Sequence, residues 1–491
     1  MSQSPPAVQV PAESRLDLKT KLFYGFGSVA FGVKDNGFSY LLLLFYNQVI
    51  GLPATMVGLA LMIALIFDAI IDPMIGQLSD NLRSPWGRRH PFMYAAALPV
   101  AISYLAIWNP PNWDQQHLFY YLIGAAIVIR TFVSFYEVPS SALAAEFSAG
   151  YDERSVLLSY RYFFGWVGGL TLNLIAFAIL FQPDKAHPVG QLNPVGYSHY
   201  GMVGAAVMFV AILISAAGTH SRIPTLMSPP PKRRLTLRQT AKEMGETIWN
   251  RSFLFLLAAG ICIAMAAGMG ASLNNYFNTF FWQFSAKQIS LFTGGVYVSA
   301  IIALATAPML SRRFGKRGTA MTLYALSVAV GLGPVLLRLA GLMPPNHSQT
   351  LVVIIFFTSI IGTSFGIVAA TMVSSMIADV VEASELKTGR RSEGLFFAAS
   401  AFIQKSVSGF GILTAAMIVE AVNLNPRANP ATVSPEVIRN FALTYSPLII
   451  GLYALAILLM TGYRITRATH TETLRQLAAE AEEAIHPEAA R

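Results

Sequence analysis

Apolar runs long enough to cross a lipid bilayer recur along nearly the whole of this chain, and they constrain it more than any motif does. Inside hydrocarbon each backbone N–H and C=O must find a partner within the protein, so runs of about 20 apolar residues are read as helices. We read twelve, at roughly 21–49, 54–80, 92–109, 117–146, 155–182, 200–218, 252–282, 288–311, 319–342, 350–382, 393–421 and 441–464. Several exceed the minimum length, which implies tilt or extension beyond the bilayer. The expectation is an all-α membrane protein. Composition agrees, with 12% of the 491 residues charged against about 25% in a soluble domain.

The net charge of +9 does not point to nucleic acid, because the basic residues gather in alternate loops. Clusters occur at Arg83, Arg88 and Arg89, at Lys232, Arg233, Arg234, Arg238 and Lys242, at Arg312, Arg313, Lys316 and Arg317, and at Lys387, Arg390 and Arg391. That parity marks the cytoplasmic side and places both termini there, in what we expect to be a bacterial inner (plasma) membrane. Ser2 to Thr20 is polar and Pro-rich, without the apolar core of a cleavable signal peptide. The single cysteine, Cys262, excludes an intrachain disulfide.

One long polar stretch, 219–251, divides the chain into two sets of six spans. We therefore expect an N-terminal tail (1–20), a six-helix bundle (21–218), the central loop (219–251), a second bundle (252–464) and a C-terminal tail (465–491). The halves echo each other. Trp86-Gly87-Arg88-Arg89 follows the second span and Phe314-Gly315-Lys316-Arg317 the eighth; Glu153-Arg154-Ser155 follows the fourth and Arg390-Arg391-Ser392 the tenth. Two related halves around a central loop describe an alternating-access carrier, with its site near the midplane.

Charged residues at mid-depth locate that site, because each would be a liability in lipid. The second span carries Phe67-Asp68-Ala69-Ile70-Ile71-Asp72-Pro73. Its carboxylates, four residues apart, share nearly one face at ~6 Å along the axis. Such a pair repels itself unless a metal cation, a proton or a basic side chain lies between. Asp68 and Asp72 therefore offer a site for Na⁺ or H⁺, and Lys405 of the eleventh span is placed to neutralise them when the cation is absent. Lys34, Asp35, Glu137 and Arg161 add donors and acceptors suited to hydroxyl groups. Asn274 and Asn278 share a face of the seventh span, where they serve either substrate or interhelical hydrogen bonds. Arg130 stands two turns before Glu137 and is read either as a partner for Glu137 or Asp35, or as a counter-charge for an anionic substrate.

These stretches resemble the glycoside–pentoside–hexuronide:cation symporter family of the major facilitator superfamily. The resemblance runs from about Thr20 to Arg464. It is carried by Tyr24-Gly25-Phe26-Gly27, Lys34-Asp35, the Asp68–Pro73 stretch, Arg83-Ser84-Pro85-Trp86-Gly87-Arg88-Arg89, Glu137-Val138-Pro139, Arg161-Tyr162-Phe163-Phe164, Ala378-Asp379-Val380-Val381-Glu382 and Lys405. It implies two pseudo-symmetric six-helix bundles. Asp68, Asp72 and Ser134 would be cation ligands, Lys34, Asp35, Glu137 and Arg161 substrate residues, and Lys405 the charge-balancing lysine. Asp80, Arg88, Arg89, Asp379 and Glu382 are expected at the cytoplasmic gate. Two departures stand out: Ser141 and Ala370 replace tryptophans that line the sugar pocket of melibiose-type members, leaving Tyr136, Tyr162 or Trp166 to compensate. The expected function is cation-coupled symport of a sugar, glycoside or sugar acid, with no cofactor besides the coupling ion. An amphipathic or lipid-like substrate and passive facilitation are the rivals. No His-x-x-x-His or Cys-x-x-Cys ligand set occurs, so an enzyme is not expected.

Overall fold

The computed structural model describes residues 16–147, 151–226, 251–388 and 393–485. The basic central-loop residues Lys232, Arg233, Arg234, Arg238 and Lys242, and Arg390 and Arg391, lie outside the described residues. Among the described residues the regular structure is helical. Ten helices are long and apolar enough to cross a membrane, and two local features reconcile that number with the twelve expected spans.

The first is α1 (residues 18–50), which is not one regular helix. It runs Leu18–Phe26 and Ser28–Asn36, then through π turns at Gly37–Leu41 and Phe45–Ile50. The second is a 54-residue helix, Ala286–Leu339, broken at Gly315. Gly315 has φ 72° and ψ 162°, a conformation that glycine adopts without the Cβ penalty of other residues. We treat its two arms as α8 and α9. The remaining spans are α2 (Ala54–Asn81), α3 (His90–Ile107), α4 (Gln115–Phe147), α5 (Tyr151–Ile175, continued by a π turn at Ala176–Leu180) and α6 (Pro194–His220). The second half continues with α7 (Arg251–Tyr276, with a π turn at Phe277–Phe281), α10 (Gln349–Thr388), α11 (Glu393–Ala421) and α12 (Pro435–Met460). A polar helix, α13 (Arg467–Ile485), follows.

Helices in lipid gain little from excluding water and associate by close packing instead. α1 and α5 cross at a glycine contact: a Cβ on Gly32 would fall 1.7 Å from the Gly165 carbonyl oxygen, and one on Gly169 would fall 2.2 Å from that of Gly32. Gly165 and Gly169 are four apart, the small-xxx-small spacing that lets two backbones touch. Between the halves, α2 packs along α11. There Gly58 admits Ala416, whose Cβ would be 2.5 Å from an added side chain.

The halves are tied together at one face. Gln48 donates to the Asn425 carbonyl oxygen (3.2 Å) and accepts from the Ala428 N–H (2.9 Å). Gln191 donates to the Phe284 carbonyl oxygen (2.9 Å), and Arg427 to that of Ile50. Nearer the middle, Asn275 donates to the Tyr40 carbonyl oxygen (2.7 Å) and the Tyr276 hydroxyl to Asn47 Oδ1 (2.9 Å). A buried aromatic layer including Phe45, Trp108, Tyr197, Tyr276 and Trp282 fills the same end. At the opposite, basic-loop face the ion pairs described next stay within one half.

Candidate functional site

The basic loops are held by carboxylates from the far ends of neighbouring helices. In the first half, Glu146 accepts from Arg88 (2.8 Å) and from Arg89 Nε (2.9 Å). Arg89 also pairs with Asp80 and donates to Ser79 Oγ at 2.6 Å. In the second half, Asp379 accepts from Lys316 (2.5 Å) and from the Tyr463 hydroxyl (2.9 Å). His470, on α13, lies 2.5 Å from Glu382 and 3.4 Å from Asp379. Asp80, Arg88 and Arg89 thus share one cluster, and Asp379 and Glu382 another. Sequence reasoning missed Glu146 and His470. The repeat of a basic loop beside each fourth helix could have found Glu146; nothing local marks His470.

At mid-depth, three elements converge on the α2 carboxylates. Asp68 is 2% exposed and accepts from Arg130 Nη1 of α4 at 3.1 Å. The Ser134 hydroxyl, one turn along α4, lies 3.1 Å from Asp68 Oδ1 and 2.6 Å from Asp72 Oδ1, bridging the two. Lys405 reaches across from α11, with Nζ 2.6 Å from Asp72 Oδ2 and 3.5 Å from Asp68 Oδ2. Pro73, directly after Asp72, has no N–H, which leaves the Ala69 carbonyl without its helical donor.

Arg130 therefore pairs with Asp68, not with Glu137 or Asp35. Two helical turns separate it from Glu137 by ~10 Å along the axis, whereas α2 packs directly on α4. The face of Phe38 lies 4.7 Å from the guanidinium carbon, a cation–π contact. Its Nε is buried without a hydrogen-bond partner.

The other predicted residues fall into three sets. Lys34 pairs with Asp35 at 3.1 Å, and its ammonium sits 4.8 Å from the Phe31 ring centroid. Arg161 donates to Ser140 Oγ (2.7 Å) and to the Glu137 carbonyl oxygen (3.1 Å), with the Glu137 carboxylate 4.0 Å away. Asn278 donates to Asn274 on its own helix at 3.1 Å, while the neighbouring Asn275 makes the bond to the other half.

A cavity of about 990 Å³ lies between the halves. Lys34, Asp35, Arg130 and Lys405 line it, with Asn274, Asn275, Asn278, Trp166 and Tyr445. Asp68, Asp72, Glu137 and Arg161 are not part of that lining; Asp68 and Asp72 pair with its Arg130 and Lys405, and Arg161 and Glu137 with each other. Of the aromatic residues proposed to compensate for the missing tryptophans, Trp166 lines the cavity and Tyr136 and Tyr162 do not. The tenth span contains one Gly-x-Ser-x-Gly spacing, Gly362 to Gly366, the pattern of a serine nucleophile in some hydrolases. Its Ser364 lies within α10 and donates to the Ile360 carbonyl oxygen four residues back (2.7 Å), an ordinary helical back-bond rather than a nucleophile on a strand-to-helix turn.

Two helical halves packed around a cavity, with ion pairs buried at its wall, define a secondary transporter of the major facilitator type. Residues 23–467 match the family described as MFS/sugar transport protein, and the chain belongs to that family. It is a multi-pass integral membrane transporter and not an enzyme. An uncharacterized symporter of Synechocystis sp. is 27% identical, covering 95% of this chain and 97% of its own. A putative glycoside/cation symporter of Escherichia coli is 25% identical, covering 94% and 95%. The crystal structure of a D-xylose-proton symporter superposes with a TM-score of 0.62 at 16% identity, covering 91% of this chain and 98% of that one. The likeness to that structure is one of fold.

Proposed function

We propose that this protein is a cation-coupled symporter for a sugar acid or another anionic glycoside, working by alternating access in a bacterial inner membrane. The observation that carries the reading is the cavity wall, which presents Lys34, Arg130 and Lys405 beside one lining carboxylate, Asp35, while the carboxylates paired with Arg130 and Lys405, Asp68 and Asp72, lie outside the lining. A substrate carboxylate would sit against these cations, beside hydroxyls bound by Asp35, Asn274 and Asn278. Names borne by relatives, including a putative glycoside/cation symporter and a glucuronide carrier protein homolog, support a sugar-type substrate.

In this reading the central charges do the coupling. Asp68, Asp72 and Ser134 form the cation-responsive cluster, and Lys405 links its state to the α2/α11 seam. Glu137 and Arg161 brace the substrate side of α4 and α5. The face tied by Gln48, Gln191 and Arg427 is the outer one, so the conformation is sealed outward. The loop clusters at Asp80, Arg88 and Arg89, and at Asp379 and Glu382, take up the opposite seal when the halves rock. Purified protein in liposomes with an imposed Na⁺ or H⁺ gradient, offered uronides and matched neutral glycosides, tests this. Uphill uptake of the uronides, lost in Asp72→Cys, is expected. Equal uptake of the neutral analogues overturns the anionic assignment, and unchanged uphill uptake in Asp72→Cys overturns the coupling role.

A further inference from the structure

We infer that Arg130 is a built-in cation that keeps Na⁺ out of the Asp68–Asp72 pair, and so is the residue that sets ion selectivity here. The inference deepens the function proposed above by naming which coupling ion that site refuses. The sequence leaves Na⁺ and H⁺ both open for this pair, and the donor set does not fit Na⁺. A hard cation takes oxygen lone pairs, and three of the four carboxylate oxygens are bonded at once, because the single Ser134 hydroxyl proton serves one Oδ1 at a time. Asp68 Oδ2 faces Arg130 at 3.1 Å, and Asp72 Oδ2 faces Lys405 at 2.6 Å. The two Oδ1 atoms face the Ser134 hydroxyl at 3.1 and 2.6 Å.

Two of these donors can give way. The Ser134 hydroxyl rotates, and its oxygen then becomes a ligand rather than a competitor. Lys405 sits on α11, in the other half, and leaves when the α2/α11 seam opens. Arg130 does neither. Its guanidinium has no acceptor and stays charged at any relevant pH. It is 4% exposed, and it comes from α4, in the same half as the carboxylates. The charge therefore travels with the pair through any rigid-body movement of the halves. When Lys405 departs, a metal ion arriving at Asp68 would meet a fixed positive charge already bonded there. The pair has the residues of a metal cage, but one of its cations is covalently attached.

The test needs no knowledge of the substrate, so its failure is separable from failure of the proposed function. Thermal unfolding of the purified full-length protein in detergent is followed against NaCl, with choline chloride at equal ionic strength as the control, and Na⁺ binding is titrated calorimetrically. The wild-type protein is expected to show no saturable Na⁺-specific shift. Arg130→Ser is expected to gain one, and Asp68→Asn added to that variant to remove it. If Arg130→Ser does not fold, Arg130→Gln, which keeps a neutral hydrogen bond to Asp68, takes its place. Saturable Na⁺ stabilisation of the wild type that disappears in Asp68→Asn overturns the inference. So does a folded Arg130 variant that remains indifferent to Na⁺.

Discussion

The contact between Lys405 and Asp72 joins the two halves at the centre of the protein, and a double-mutant cycle measures what it contributes. At 2.6 Å, two unit charges attract by about 6 kcal/mol at an effective dielectric constant of 20. Both side chains are partly exposed, at 30% and 24%, so water screens much of this, and separating each from solvent has its own cost. Truncation is also cushioned, because the second contact, Lys405 to Asp68 at 3.5 Å, survives loss of Asp72. A coupling energy of about 1–3 kcal/mol is the expected remainder. The cycle compares Lys405→Ala, Asp72→Ala and the double variant by denaturant unfolding in one mixed-micelle system. The double variant should lose less stability than the sum of the singles by that amount. Losses that add within about 0.5 kcal/mol would refute the claim that this pair ties the halves together.

Two further outcomes follow from the packing. Gly32→Val should destabilise the first half by about 1–3 kcal/mol or more, because its side chain lands on the Gly165 carbonyl. Gly260→Ala, with nothing within 4 Å of the new methyl, should instead raise stability by up to about 1 kcal/mol; both are read from thermal unfolding in one detergent. At the basic-loop face, Glu146→Ala leaves Arg88 and the buried Arg89 without their shared carboxylate. Because Arg89 keeps Asp80 and Ser79, a loss of about 1–3 kcal/mol is expected. Arg88→Ala, whose partner keeps Arg89, should cost much less.

The span positions were legible because lipid imposes a strong rule on one-dimensional sequence. A run such as 54–80 must satisfy its own backbone, and α2 occupies Ala54–Asn81. The rule says nothing about local irregularity. The π turns of α1 lie within a run that reads as one smooth helix, and the break at Gly315 was visible only as a loop motif shared with Gly87. The charged members of the central cluster were equally legible, since Asp68, Asp72, Arg130 and Lys405 are each conspicuous at mid-depth, whereas Ser134, uncharged, entered only through the family resemblance. The pairing of those charges was not legible. Sequence reading offered Glu137 or Asp35 as the partner of Arg130, but spacing along a chain cannot weigh a nearer partner on another helix.

The sequence alone thus determines where the chain crosses the membrane and which charges must hide from lipid, because both follow from the cost of polar groups in hydrocarbon. Tertiary structure decides which charge answers which. Asp68 meets Arg130 across 62 positions, and Asp72 meets Lys405 across 333. Those distances are closed by helix packing at glycine contacts such as Gly58 against Ala416. Coulomb energy falls with separation in space, and only the packed helices set that separation.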